Sequence, residues 1–162
     1  MRSTKSNVAK NIDRNDANVL CQGFSLIEMM VVAAILAILA AIVYPSYLES
    51  VRKARRSEGR AAMLALMQQQ ERYYSQHSTY IVFSSSAVNG FKWFSANSPA
   101  TSSYEISATA CSDDSIQNCV LLTAKPGTAN VNAAHRDDAC GNLMLTSTGM
   151  KAAAGAAANC WE

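Results

Sequence analysis

The feature that most constrains the fold is an apolar block from Phe24 to Tyr44, FSLIEMMVVAAILAILAAIVY, in which Glu28 is the one charged side chain. As an α-helix rising about 1.5 Å per residue, this block would cover about 30 Å, the thickness of a bilayer hydrocarbon core. The apolar region of a secretory signal is shorter, roughly 7–15 residues, and precedes a small-residue cleavage site. Here the block runs directly into Pro45. The sequence therefore predicts a retained membrane anchor.

The helix is predicted to continue beyond the membrane to about Gln76, because Ala, Leu, Met, Gln, Glu and Arg dominate this stretch. Pro45 is expected to kink this helix without ending it. Residues 24–44 are predicted to form a membrane half and residues 45–76 an amphipathic half. The predicted apolar stripe of the second half, against which a head would pack, consists of Tyr47, Val51, Ala54, Ala61 and Ala65.

Residues 77–162 are predicted to form a β-rich head, which makes the chain α+β. Three alternating or apolar runs predict short antiparallel strands, at 104–110, 119–125 and 142–148. The irregular stretch 77–103 is interpreted as a packed loop over buried aromatic side chains, with a stacking platform for a ligand as the alternative. These aromatic residues are Phe83, Phe91, Trp93 and Phe94. The alanine-rich stretch 151–159 is interpreted as a surface loop, although its composition also suits a short helix.

Four cysteines lie in the predicted head, and an even number outside a membrane anchor indicates disulfides formed in an oxidising compartment. They are Cys111, Cys119, Cys140 and Cys160. The sequence permits three pairings. We favour Cys111 with Cys119 and Cys140 with Cys160, since each pair closes a local loop. No C-x-x-C pair is present in the sequence, and no metal site is predicted.

The charges give no general reason to expect a nucleic-acid partner, because residues 24–162 carry ten Lys and Arg against ten Asp and Glu. Arg52, Arg56 and Arg60 share a helix face at spacings of four, which would suit phosphate binding but is more often a solvated flank. His77 and His135 are predicted to be surface residues. No nucleophile elbow, phosphate-binding glycine loop or paired carboxylate is found, so neither catalysis nor a cofactor is predicted.

The stretch GFSLIEMMVVAAILAILAAIVYPSY resembles the N-terminus of type IV pilins, and the resemblance extends from Gly23 to about Tyr80. It implies that a prepilin peptidase removes a leader of residues 1–23 by cutting after Gly23, and that the new amine of Phe24 is methylated. The stretch CGNLMLTSTGMKAAAGAAANCW resembles the end of PilE-like minor pilins. This second likeness implies a terminal loop closed by Cys140 and Cys160.

The resemblance implies a type IV pilin fold, with the long helix packed on a small antiparallel sheet. It also implies that Glu28 pairs with the N-terminal amine of a neighbouring subunit, which would compensate a carboxylate that is costly in lipid. Pro45 would mark the end of the membrane-embedded half. The expected partners are the prepilin peptidase, other major and minor pilins and the inner-membrane assembly platform.

The expected location is the inner membrane, with a single span and the head in the periplasm, and then the pilus on the cell surface. The expected role is that of a minor pilin in pilus biogenesis, twitching motility and adhesion, with nucleic acid not expected as a partner. One alternative is a pseudopilin of a type II secretion system. Another is a DNA-binding pilin of a natural DNA-uptake system, whose head would use exposed cations. Those available are Lys92, Lys125, Arg136 and Lys151.

Overall fold

The computed structural model describes residues 23–85 and 90–162, so the predicted leader lies outside the described residues except for Gly23. Contacts divide the chain after Val43 into two units, which are considered separately. The elements are α1 (Leu26–His77), a 3-10 turn (Pro99–Thr101), β1 (Tyr104–Ala110), β2 (Val120–Pro126), β3 (Leu143–Thr146) and β4 (Lys151–Ala153). The expectation of an α+β fold with one long N-terminal helix is therefore confirmed.

The first unit contains the apolar part of α1. Its described residues, 23–43, are exposed on every side of the helix. By length and composition this part of α1 is able to cross a membrane. A helix that is apolar all round is stable only in lipid or in a bundle of similar helices.

Helix α1 continues through Pro45, as predicted, and ends at His77. Ser78 follows with a φ of 54°, the left-handed conformation that commonly ends a helix. Its backbone N–H donates to the carbonyl of Tyr74 at 2.8 Å and satisfies one of the free carbonyls at the helix end. The chain then turns into the loop that precedes the sheet.

The face of α1 that packs against the sheet differs from the predicted one. Its buried residues are Arg56, Gly59, Met63, Leu66 and Gln70. The predicted stripe was wrong: Val51 is only half-buried and the other members, Tyr47, Ala54, Ala61 and Ala65, are exposed. The buried residues recur at alternating spacings of three and four, but two of them are polar and one is glycine, so hydrophobicity alone selected the wrong face.

Gly59 is needed for this packing because the ring of Tyr104 lies directly against it. A Cβ at position 59 would approach Cδ2 of Tyr104 to 2.8 Å, closer than real Cβ contacts. Glycine normally weakens a helix by about 1 kcal/mol relative to alanine. Here it allows the first residue of β1 to pack directly against the helix.

The sheet is antiparallel, with strands in the order β1-β2-β3-β4. Alternate side chains of the strands point toward α1 and form a core with Met63 and Leu66 of the helix. The strand residues in this core are Tyr104, Ile106, Ala108, Val120, Leu122, Ala124, Leu143 and Leu145. Three of the four strands were predicted. The prediction of a surface loop was wrong for the start of the alanine-rich stretch, because Lys151–Ala153 forms β4 beside β3.

The loop before β1 packs largely as expected from its aromatic residues. Phe83 and Phe91 are buried, whereas Trp93 and Phe94 are half-buried. Phe83 and Phe94 form isolated antiparallel bridges with β1, opposite Ala108 and Glu105 respectively. The outer side of β1 is therefore paired with this loop.

Two disulfides close the loops of the head. Cys111 is bonded to Cys119 and Cys140 to Cys160, the pairing that short loops favour. The second disulfide holds the tail after β4, where the indole N–H of Trp161 donates to the carbonyl of Ala152 at 2.8 Å. The predicted disulfide-closed C-terminal loop is confirmed.

A buried ion pair joins α1 to the loop between β2 and β3. Arg56 donates to both carboxylate oxygens of Asp137, from Nε at 2.9 Å and from Nη2 at 2.6 Å. The hydroxyl of Tyr104 donates to the same carboxylate at 2.6 Å. Both charged residues are almost fully buried. Arg56, Tyr104 and Asp137 are called the clamp below.

The contacts of the clamp shift the pKa values of Asp137 and Arg56 in the directions that keep both side chains ionised. Burial would raise the pKa of Asp137, but hydrogen bonds from Arg56 and Tyr104 outweigh it and lower that pKa below its usual range. The hydrogen bond to Asp137 raises the pKa of Arg56 in turn. The pair therefore stays ionised down to acid pH, and its contribution to stability is lost only as the pH falls through the lowered pKa of Asp137.

Replacing Arg56 by Met should lower the free energy of unfolding by about 3–5 kcal/mol, because the carboxylate of Asp137 stays buried without its cation. Adding Asp137→Leu to that variant should recover part of the loss. Urea unfolding of the detergent-solubilised chain, followed by the fluorescence of Trp93 and Trp161, measures the free energy of unfolding of both variants. Arg72→Met, at an exposed position of the same helix, is the control and should change stability by less than about 0.5 kcal/mol. An equally small effect of Arg56→Met would contradict the clamp.

Candidate functional site

The segment predicted to direct assembly lies at the start of the first unit. Gly23 and Phe24 precede the helix, Phe24 is 76% exposed, and Glu28 lies in the first turn of α1. Among the described residues, Glu28 has no hydrogen bond or ion pair within its own chain. An exposed carboxylate on an apolar helix surface requires a partner from outside the chain or contact with water.

The second candidate site is a group of cations at one end of the second unit, where α1 meets the loop between β2 and β3. Arg52 and Lys53 are exposed, Arg55 is half-buried, and Arg136 is exposed on the loop. Arg55 and Arg52 are close enough to His135, the neighbour of Arg136, to lower its pKa. These four cations, Arg52, Lys53, Arg55 and Arg136, are called the basic corner.

The predicted solvated flank of Arg52, Arg56 and Arg60 is only partly correct. Arg52 is exposed and lies 3.7 Å from Glu49, a weak surface pair. Arg56 belongs to the buried clamp, so that prediction was wrong for it. Arg60 donates to the backbone carbonyls of Cys160 and Glu162 and holds the tail. The sequence signal for Arg56 was its spacing from Gly59 and Met63, which places it on the packed face.

His135 was predicted to lie on the surface, and this was wrong, because the residue is only 3% exposed. Its ring packs edge-on against Tyr104, with centroids 5.2 Å apart. Its Nε2 atom is buried and has no hydrogen-bond partner in the described structure. Its backbone carbonyl occupies the space where a side chain on Gly127 would begin, and the φ of +60° at Gly127 also favours glycine.

The surroundings of His135 disfavour its protonated form. Burial is the main cause of its lowered pKa, and Arg55, Arg52 and Arg56 add to it, while Asp137 partly opposes them. The carboxylate of Asp137 accepts hydrogen bonds from the other clamp members and none from the imidazole. The loop of the basic corner is therefore packed around a neutral histidine.

The opposite end of the head is acidic. Asp113 and Asp114 are exposed in the loop closed by Cys111 and Cys119. That loop contacts the chain just after α1, where the N–H of Tyr80 donates to the carbonyl of Ile116 at 3.1 Å. Because β2 runs from this loop toward the basic corner, the two charged regions lie at opposite ends of the sheet. The near-zero net charge does not reveal this distribution, in which Asp138 is an exposed carboxylate at the basic end.

The other predicted cations of the head are dispersed. Lys92 lies over the ring of Phe94 at 5.0 Å, and Lys151 lies over Trp161 at 5.7 Å. Lys125 stands opposite Glu105 in the sheet. Within residues 23–85 and 90–162, no group of three His, Cys, Asp or Glu side chains is arranged to hold a metal ion. The basic corner, by contrast, draws its cations from α1 and from the loop between β2 and β3.

Comparison with known proteins identifies the family. The model of a family described as "Type IV minor pilin ComP, DNA uptake sequence receptor" matches residues 45–144, more than half of the chain. The chain belongs to this ComP family of type IV minor pilins. A second model, the prokaryotic N-terminal methylation motif, matches residues 20–44. The recognition of a type IV pilin from Gly23 onward is confirmed.

One curated protein and one solved structure are similar to parts of this chain. The type IV major pilin protein PilA of Myxococcus xanthus (strain DK1622) is 37% identical over 62 residues, which are 38% of this chain and 28% of PilA. The chain therefore matches less than a third of that relative's length. A solved type IV pilin from Shewanella oneidensis is 27% identical, covers 68% of this chain and 98% of its own, and gives a TM-score of 0.44.

Family membership makes this chain a type IV pilin. Pilins are structural proteins, and neither the family nor the fold gives positive support for catalysis. The family description also names a DNA receptor. The expectation that nucleic acid is not a partner is therefore left without support.

Acidification should destabilise the head through His135. Its pKa is lower in the folded chain than in the unfolded chain, so the unfolded chain binds the extra proton first, and stability should fall as the pH drops below about 6.5. Urea unfolding of the detergent-solubilised chain between pH 7.5 and 5.5 measures this.

His135→Gln should flatten that pH dependence. His77→Gln is the matched control, because His77 is exposed and is the one other histidine in the sequence. It should leave the pH dependence as in the wild type. Equal pH dependence in the wild type and in His135→Gln would show that His135 is not the titrating group.

Proposed function

We propose that this chain is a minor pilin of a type IV pilus whose head binds duplex DNA at the basic corner during DNA uptake. The observation that carries the proposal is the match of the ComP family model to residues 45–144, which include most of the head. The sequence alone favoured a minor pilin without a nucleic-acid partner, and a DNA-binding pilin was the alternative that is now preferred. A pseudopilin of a type II secretion system has less support, because the matching family is one of type IV minor pilins.

In this proposal, the N-terminal region directs the assembly of the chain into the pilus. Prepilin peptidase removes residues 1–23 and methylates the amine of Phe24, and the match of the methylation motif to residues 20–44 supports this step. Residues 24–44 then hold the chain in the inner membrane, with the head in the periplasm. The assembly platform moves the subunit into the pilus, where Glu28 pairs with the N-terminal amine of a neighbouring pilin. Pro45 separates the membrane-embedded half from residues 45–76, and residues 77–162 form the rest of the head.

Phosphate contacts supply most of the affinity of proteins for DNA, and arginine is well suited to them because its planar guanidinium matches phosphate geometry. The basic corner offers arginines from two elements, α1 and the loop between β2 and β3. Arg55 and Arg136 have no hydrogen bond or ion pair among the described residues. The acidic loop at the other end of the head would repel DNA and so favour one orientation of the duplex.

Adhesion and twitching motility belong to the filament as a whole in this proposal. The chain contributes to them as a subunit. DNA binding is the function that distinguishes this head from that of a purely structural pilin.

Processing and assembly are tested together. Intact mass of the chain, expressed with and without a prepilin peptidase, should give a mature protein that begins at methylated Phe24 only when the peptidase is present. Glu28→Val should be processed normally but fail to enter sheared pili, because its neighbour's amine then has no carboxylate to pair with. Met29→Val, at the adjacent exposed position, should enter pili like the wild type. Normal incorporation of Glu28→Val would contradict the pairing.

DNA binding is tested with the detergent-solubilised chain and a fluorescent duplex, by anisotropy at several salt concentrations. Replacing Arg55 and Arg136 by Gln should weaken binding and reduce the slope of log affinity against log salt by about 2, because each lost phosphate contact removes about 0.9. Arg72→Gln and Lys151→Gln, both outside the basic corner, should leave the slope unchanged.

The controls decide which part of the proposal fails. All variants carry the same N-terminal residues, so differences between them report on the head. No binding by the wild type would overturn the DNA-binding function and leave a structural minor pilin. Equal loss in the control and corner variants would place the DNA interface elsewhere.

A further inference from the structure

A cleft of about 220 Å³ lies beside the basic corner, between α1 and the tail that follows β4. Its helix wall is formed by residues spaced as i, i+3, i+4 and i+7, which share one face of α1. These are Lys53, Arg56, Ser57 and Arg60, and Asn159 and Glu162 form the opposite wall. The cleft combines side chains of α1 with side chains of the tail, and Arg60 joins the two segments by donating to the carbonyls of Cys160 and Glu162.

Most polar groups of this cleft are hydrogen-bond donors. Arg60 donates to the hydroxyl of Ser57 at 2.8 Å, and the Ser57 proton then has no acceptor within the described head. The ammonium of Lys53 and the amide of Asn159 are likewise without a partner among the described residues. The acceptor atoms of these side chains are the carboxylate of Glu162, the amide oxygen of Asn159 and the Ser57 oxygen, and their other polar atoms are donors. Such a site is complementary to an anion that carries only acceptor oxygens.

Arg60 is not the cation that is available to a ligand in this cleft. It donates to the backbone carbonyls of Cys160 and Glu162 and so positions the tail. Arg56 is neutralised by Asp137 in the clamp. Lys53 is therefore the cation that would meet a ligand, with Ser57 and Asn159 as neutral donors.

We propose that this cleft binds a phosphodiester group of the DNA backbone, next to the phosphates held by the basic corner. The proposal rests on the DNA-binding function proposed above. Lys53 belongs to both sites, which makes them continuous. From Arg52 to Arg60 the helix advances about 12 Å, a distance over which one DNA strand passes three to four phosphates at about 3.4 Å each.

Glu162 allows a test in which a substitution should strengthen DNA binding instead of weakening it. A carboxylate in the cleft repels a phosphate, so Glu162→Gln should strengthen binding, whereas Lys53→Gln should weaken it. Asn159→Asp should also weaken binding, because it replaces a donor by a second carboxylate. A role in packing alone would not give this pattern of signs.

The experiment is duplex binding by the detergent-solubilised full chain, measured by anisotropy from about 50 to about 300 mM salt, a range that includes physiological ionic strength. Lys53→Gln should reduce the salt slope by about 1, and Glu162→Gln should raise the affinity at each salt concentration. Lys125→Gln, an exposed lysine on β2 outside the cleft, is the matched control for charge. Urea unfolding of each variant verifies that the head remains folded.

The outcomes separate this proposal from the one on which it rests. If the wild type does not bind the duplex, both the DNA-binding function and the cleft are overturned. If the wild type binds and Glu162→Gln does not raise the affinity, the cleft is overturned and the DNA-binding function stands, because Lys53 belongs to the basic corner as well. If Lys53→Gln lowers incorporation into pili without changing DNA binding, the cleft receives a carboxylate of a neighbouring pilin, and the phosphodiester proposal is overturned.

Discussion

The hydrogen-bonded ion pair between Arg56 and Asp137 is the interaction on which the arrangement of the head depends. It joins residues 81 positions apart, and the hydroxyl of Tyr104 adds the first residue of β1 to the same carboxylate. The helix, the sheet and the loop between β2 and β3 thus meet at one buried point. The backbone N–H of Cys140 also donates to Asp137, at 3.4 Å, which places the tail disulfide beside it. A buried pair of this kind is weak evidence for net stability, but the loss of one partner is costly.

The sequence predicts the large features of this fold because they follow from local periodicity and length. The long helix and the strands that become β1, β2 and β3 come from continuous patterns of this kind. The clamp was missed because it joins residues far apart in the chain, and no local pattern couples Arg56 to Asp137. The buried face of α1 was misassigned for the same reason. Gly59 lies there because the Tyr104 ring packs against it, and Arg56 because it binds Asp137. Strand β4 was missed because alanines carry little strand propensity, and pairing with β3 decides their conformation.

The candidate sites differ in how far the sequence reveals them. Gly23, Phe24 and Glu28 are recognisable because their spacing is a linear motif at the start of an apolar block. The basic corner is a tertiary arrangement, in which Arg136 joins Arg52 and Arg55 only after the loop has packed on α1. Composition gave a nearly neutral chain, but a net charge does not show where the charges lie, and the cations of the basic corner come together only in the folded head.

The two outer strands of the sheet are both occupied. On β1, the loop before it makes bridges at Ala108 and Glu105, and on β4 the carbonyl of Ala152 accepts the indole N–H of Trp161. Exposed strand edges are the places where sheets of different molecules join by backbone hydrogen bonds. These contacts leave fewer free backbone groups at both edges for pairing with the sheet of another molecule. Contacts between subunits are then left to side chains, which can be changed one at a time without disturbing the fold.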